Sequence, residues 1–189
     1  MKKFLSVLLI FISFPLISSA QTQEPVFLGI EAGVTFPMSP QYFQTSYTTS
    51  YNFGVLVQKP VSDILSIGGG LNYSDYVVKT PSGYSNYNGG GLSFLSFAGF
   101  LKLTDNITTQ KLNPYGKAGL GIHFAYAHPR YSGSRTSTEN GLAIILGAGM
   151  DYNITSSNKL SLELSYRVNN LPGGSINGLL LDIGYHFKL

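Results

Sequence analysis

The side chains able to do chemistry are few. Three histidines are present, His123, His128 and His186, and no cysteine. His128 lies in Ala127-His-Pro-Arg-Tyr-Ser132, beside hydroxyls and a cation, where an imidazole could serve as the base of an acyl transfer or a lipid hydrolysis. No acid stands at a spacing that would orient its ring. A solvated loop histidine is therefore the stronger reading, and no catalytic residue is assigned. The glycine runs Gly116-x-x-Gly119-x-Gly121 and Gly147-x-Gly149 share only composition with phosphate-cradling loops, because no helix follows either. Absence of cysteine removes a disulfide framework and cysteine-based metal sites, and neither a metal nor a cofactor is expected.

The remaining reactive groups are charges, and their spacing is more informative than their number. Glu31, Lys102, Lys117, Asp151, Glu163, Arg167, Asp182 and Lys188 each fall on the polar side of a stretch whose other side is apolar. If those stretches close around an interior, the eight charges line it. Buried charges must be paired, so the set would form a salt-bridged plug, a gate or the wall of a narrow pore. Glu163, Arg167 and Asp182, on neighbouring segments, are the expected centre of such a network.

The elements that must position these groups read as strands. Val26, Leu28, Ile30, Ala32, Val34 and Phe36 alternate with Phe27, Gly29, Glu31, Gly33 and Thr35 over about eleven residues, a length that suits a tilted membrane-crossing strand. Similar alternation predicts strands over 51–58, 64–76, 92–103, 115–126, 142–152, 159–168 and 179–189. In the fourth, both faces are apolar; Leu95, Phe97, Leu101 and Leu103 are assigned outward, and Ser96, Ala98 and Lys102 inward. The connections over 37–50, 77–91, 127–138 and 169–177 read as long loops, those over 59–63 and 153–158 as short turns, and that over 104–113 as medium. Aromatic residues gather near strand ends, at Phe36, Tyr51, Phe53, Tyr73, Tyr115, Tyr126, Tyr152, Tyr166 and Phe187, where interfacial girdles would lie.

At 189 residues the chain has room for one domain. Charged residues make up only 11%, far below the roughly 25% of an ordinary soluble domain, while mean hydropathy is a modest +0.12. After the first twenty residues no apolar run approaches the roughly 18 residues of a membrane-spanning helix. Residues 1–20 combine Lys2 and Lys3, an apolar core from Phe4 to Ile17, and small residues at Ser18 and Ala20, the layout of a signal peptide cleaved after Ala20. Residues 21–189 then form the mature domain. Its near-balance of charge argues against nucleic acid as a partner.

Eight strands joined by alternating long and short connections, apolar on one face and polar on the other, permit two architectures. One is an antiparallel up-and-down transmembrane β-barrel with its apolar face toward lipid. The other is a soluble lipocalin-like barrel in the periplasm, with its apolar face turned inward around a greasy ligand. The glycines and opposed charges of the polar face suit a crowded lumen better than a soluble surface.

The segments Gly29-Ile-Glu-Ala-Gly33, Pro114-Tyr-Gly-Lys-Ala-Gly-Leu-Gly121, Leu146-Gly-Ala-Gly-Met-Asp-Tyr152, Leu160-Ser-Leu-Glu-Leu-Ser-Tyr166 and Gly184-Tyr-His-Phe187 carry a resemblance to the small eight-stranded outer-membrane β-barrel family. The type is that of the OmpA/OmpX transmembrane domain and of the porin-family barrel domain of Bacteroidota. The spacing Asp182, Gly184, Phe187, Leu189 is similar to the C-terminal signal read by the barrel-assembly machinery. The resemblance implies an all-β, integral outer-membrane protein, exported and monomeric, with a structural or surface-contact role or minor permeation of small solutes. Its expected partners are outer-membrane lipid, the assembly machinery during insertion, and an extracellular ligand at the Tyr-, Ser- and Asn-rich long loops. A lipid-modifying outer-membrane enzyme is the remaining alternative.

Overall fold

The computed structural model describes residues 25–79, 90–104, 111–128 and 137–189. The expected signal segment 1–20 lies outside them, as does the side chain of His128. Eight strands form: β1 (Phe27–Ser39), β2 (Ser50–Pro60), β3 (Leu65–Val77), β4 (Gly91–Thr104), β5 (Leu112–His128), β6 (Ser137–Asn153), β7 (Asn158–Leu171) and β8 (Gly174–Lys188). Each pairs antiparallel with the next, and β1 also pairs with β8, from Phe27 opposite Lys188 to Phe36 opposite Leu179, so the sheet closes on itself. Closure leaves no unpaired edge along that seam, which lipid could not hydrate.

The alternation decides which face is which. Leu120, at 68% exposed, Ile183 at 64% and Leu142 at 62% point away from the barrel, whereas Asp182, Glu163 and Arg167 are buried inside it. This is the reverse of the lipocalin arrangement. In β4 the ambiguity of two apolar faces has a simple origin. Leu101 and Leu103 are exposed outside, while Phe94 and Phe100 join Ser96, Ala98 and Lys102 in the interior.

Several strands outrun their predicted ends. The residues expected as a long loop over 169–177 instead continue the β7–β8 ladder, with Asn169 opposite Ile176, Asn170 opposite Ser175 and Leu171 opposite Gly174. Only Pro172 and Gly173 connect the two strands, and Gly174 takes a positive φ of 131° that favours glycine. Ser175 Oγ donates to Asn170 Oδ1 at 2.5 Å across this hairpin. The ladder persists here, but an Asn- and Ser-rich stretch whose two faces need not differ loses the period-two contrast and reads as a loop. The connection between β1 and β2 also contains a short helix, α1 (Gln41–Ser46), inside the segment read as loop.

Candidate functional site in the barrel lumen

The interior is filled in tiers. At the mouth bearing the longer connections, α1 carries Phe43 into the barrel, where it is fully buried. Its ring lies 4.9 Å from that of Tyr76, which meets Phe94 at 5.9 Å, and Leu92, Ala125 and Ile176 complete an apolar cap. Tyr76 keeps a polar tie within this layer, because Thr35 Oγ1 bonds its hydroxyl at 2.7 Å.

Beneath the cap, Arg167 on β7 reaches across to β3. Its Nη1 donates to Asn72 Oδ1 at 2.5 Å and to Ser74 Oγ at 3.4 Å. β3 and β7 stand opposite one another in an eight-strand ring, so this contact spans the bore. His123 is buried nearby, its ring edge-on to Phe94 at 5.4 Å, and neither ring nitrogen has a hydrogen-bond partner among the described residues.

Ion pairs occupy the half nearer the short turns. Lys102 Nζ approaches Asp151 Oδ2 at 2.8 Å and lies 3.7 Å from the centre of the Tyr115 ring, and Lys159 shares the same carboxylate at 2.9 Å. Lys117 pairs with Glu163 at 2.6 Å, and the Tyr115 hydroxyl donates to the other Glu163 oxygen at 2.9 Å. Bulky interior groups rest over glycines of facing strands. A Cβ at Gly68 would strike the Phe100 ring, one at Gly149 the Tyr115 ring, and one at Gly178 the Tyr76 hydroxyl. The inner glycines are thus room for side chains, while a Cβ at the outward-facing Gly116 would meet none of the described residues.

Seven of the eight expected lumen charges lie on the inner face: Glu31, Lys102, Lys117, Asp151, Glu163, Arg167 and Asp182. Lys188 does not join them. It has inward parity, but β8 ends at this residue and leaves it exposed at the rim. The expected trio of Glu163, Arg167 and Asp182 is not held by direct contacts: Glu163 turns to Lys117 and Tyr115, and Arg167 to Asn72 and Ser74. Glu31 lies against the bare backbone of Gly54 and Gly184, and neither it nor Asp182 forms an ion pair among the described residues. Tyr115, assigned above to an outer girdle, faces inward and is buried. Its place in the alternation of Lys117, Gly119 and Gly121 was the available signal.

Ser161 Oγ and His186 Nε2 lie 2.8 Å apart, the separation of a nucleophile and its base. Both are buried in the wall, and among the described residues His186 Nδ1 meets no acid that would orient the ring. In β8, Asp182 and His186 face the lumen and Phe187 is half-buried, its ring 6.5 Å from Tyr185, while Leu189, just past the end of β8, is exposed.

Comparison with known proteins points the same way. Among solved structures, Neisserial surface protein A is similar over 87% of this chain and 97% of its own, with a TM-score of 0.63 and 16% identity. OprG of Pseudomonas aeruginosa matches over 89% of this chain and 99% of its own, with a TM-score of 0.55 and 14% identity. Ail of Yersinia pestis, solved in complex with the heparin analogue sucrose octasulfate, matches over 88% and 100%, with a TM-score of 0.54 and 16% identity. At such identities these likenesses concern the fold alone. No curated protein matches in sequence. The family model for the outer membrane protein beta-barrel domain matches residues 6–187. With a closed eight-stranded barrel, apolar outside and polar within, the chain belongs to the outer membrane protein beta-barrel domain family.

Proposed function

We propose that this protein is a plugged outer-membrane barrel that catalyses no reaction and serves to hold its long connections at the cell surface for contact. The observation that carries this reading is the filled lumen: the bond from Arg167 to Asn72 across the bore, under a cap seated on Phe43. An eight-stranded barrel has an interior just wide enough for its own side chains, and this one uses the width. The turns near residues 61–64 and 154–157 and both chain ends then face the periplasm, and α1 and the β5–β6 and β7–β8 hairpins face outward. The paired charges act as internal scaffolding. The protein is exported on its cleaved N-terminal segment, addressed by Asp182, Gly184, Phe187 and Leu189 to the assembly machinery, and works as a monomer in lipid.

Planar bilayers distinguish a plug from a pore. The purified, folded protein is expected to give no stable conductance steps in molar salt, and a variant with Gln41–Ser46 replaced by a short Gly-Ser linker and Arg167→Ala is expected to conduct. Steady conductance by the unaltered protein would overturn the plug.

A further inference from the structure

Lipid accounts for the apolar belt on the outside of this barrel, but not for an open cavity of mixed polar and apolar lining at its outer mouth. This cavity, of about 160 Å³, lies between α1 and the β4, β5, β6, β7 and β8 walls. Phe43 and Leu92 belong to its buried lining, Tyr42 and Tyr47 line it as well, and Ala125 and Ala127 leave the space that larger residues would fill. Among the described residues, one charged group borders it, Glu139. That residue has inward parity on β6, beyond the last β6 residue that pairs with β7, Leu142, and makes no hydrogen bond or ion pair among the described residues.

Aromatic side chains and, among the described residues, a single carboxylate around one small space are complementary to one kind of small molecule. The ring sits against the apolar lining, and the ammonium is attracted both by the carboxylate and by the negative faces of the tyrosines. We propose that this cavity binds a small aromatic cation of the arylalkyl ammonium class, entering from the outside medium. The direction of entry rests on the orientation proposed above. The site itself does not.

The test uses the full folded protein in zwitterionic micelles, with 2-phenylethylammonium as the probe and amide chemical shifts as the readout. Saturable shifts are expected at Ala125, Ala127, Leu171 and Ile176. Binding should be roughly fivefold weaker for neutral 2-phenylethanol, and for the ammonium with Glu139→Gln. Ala127→Leu, which fills the cavity while keeping the charge, should remove the shifts. Absence of saturable shifts, equal binding of the alcohol, or an unaffected Glu139→Gln would each overturn the proposal. Orientation is read separately, by labelling Ser137→Cys on intact cells with a membrane-impermeant maleimide. No labelling there would remove the surface reading while leaving the site, measured on purified protein, standing.

Discussion

Lys117 and Glu163 meet because the residue between them is a glycine. Gly147 pairs with Lys117 on β5, and a Cβ there would lie 3.3 Å from the Glu163 carboxylate. Removing one partner of a buried pair strands the other charge, whereas replacing both with apolar residues removes the need for either. Lys117→Met is therefore expected to lower stability by about 3 kcal/mol, and Lys117→Met with Glu163→Met to recover most of that loss. Urea unfolding in micelles checks both. Equal stability of the single and double variants would show that the pair is not a structural one. That these charges face inward is legible in the alternation alone. Their partners are not, because Lys102 with Asp151, Lys117 with Glu163 and Arg167 with Asn72 join strands that are two or four apart, and those meetings depend on how the barrel closes. Tyr115 was readable by parity, but its aromatic type near a strand end suggested an interfacial place.

The strands themselves were readable wherever one face meets apolar surroundings and the other the lumen. The clean alternation of Leu160, Leu162 and Leu164 with Ser161, Glu163 and Ser165 becomes exposed and buried in strict turn. Beyond that belt, at Ser137–Gly141 and Asn169–Asn177, the contrast fades and only the ladder remains. α1 was not readable at all. Six residues are too few to sustain a helix on their own hydrogen bonds, and its one apolar anchor, Phe43, stands among polar neighbours. The closing element carries a prediction of its own. Residues 185–188 pair with Ile30, Gly29, Leu28 and Phe27, so deleting Tyr185–Leu189 opens the seam and removes Phe187 and Leu189, half of the proposed assembly address, together. The truncated chain is expected to be missing from the outer-membrane fraction. Its recovery there, folded, would sink the reading of β8 as an address.

For the molecule as a whole, sparse charge and a mild mean hydropathy describe a barrel whose polar groups are turned inward and whose apolar groups are spread thinly over a lipid-facing wall. Closed barrels keep their shape in detergent until heated, because every strand has two hydrogen-bonded neighbours. Electrophoresis with and without boiling should therefore give two mobilities, and identical migration would count against a membrane barrel. The bond between Arg167 and Asn72 has a mechanical meaning as well. A hollow tube squeezed from the side flattens into an oval, but a tube with a tie between opposite walls resists one axis of that distortion. The protein should hold a nearly circular cross-section when lateral pressure in the surrounding bilayer changes, so that the loops at its rim keep their mutual spacing in membranes of different lipid packing.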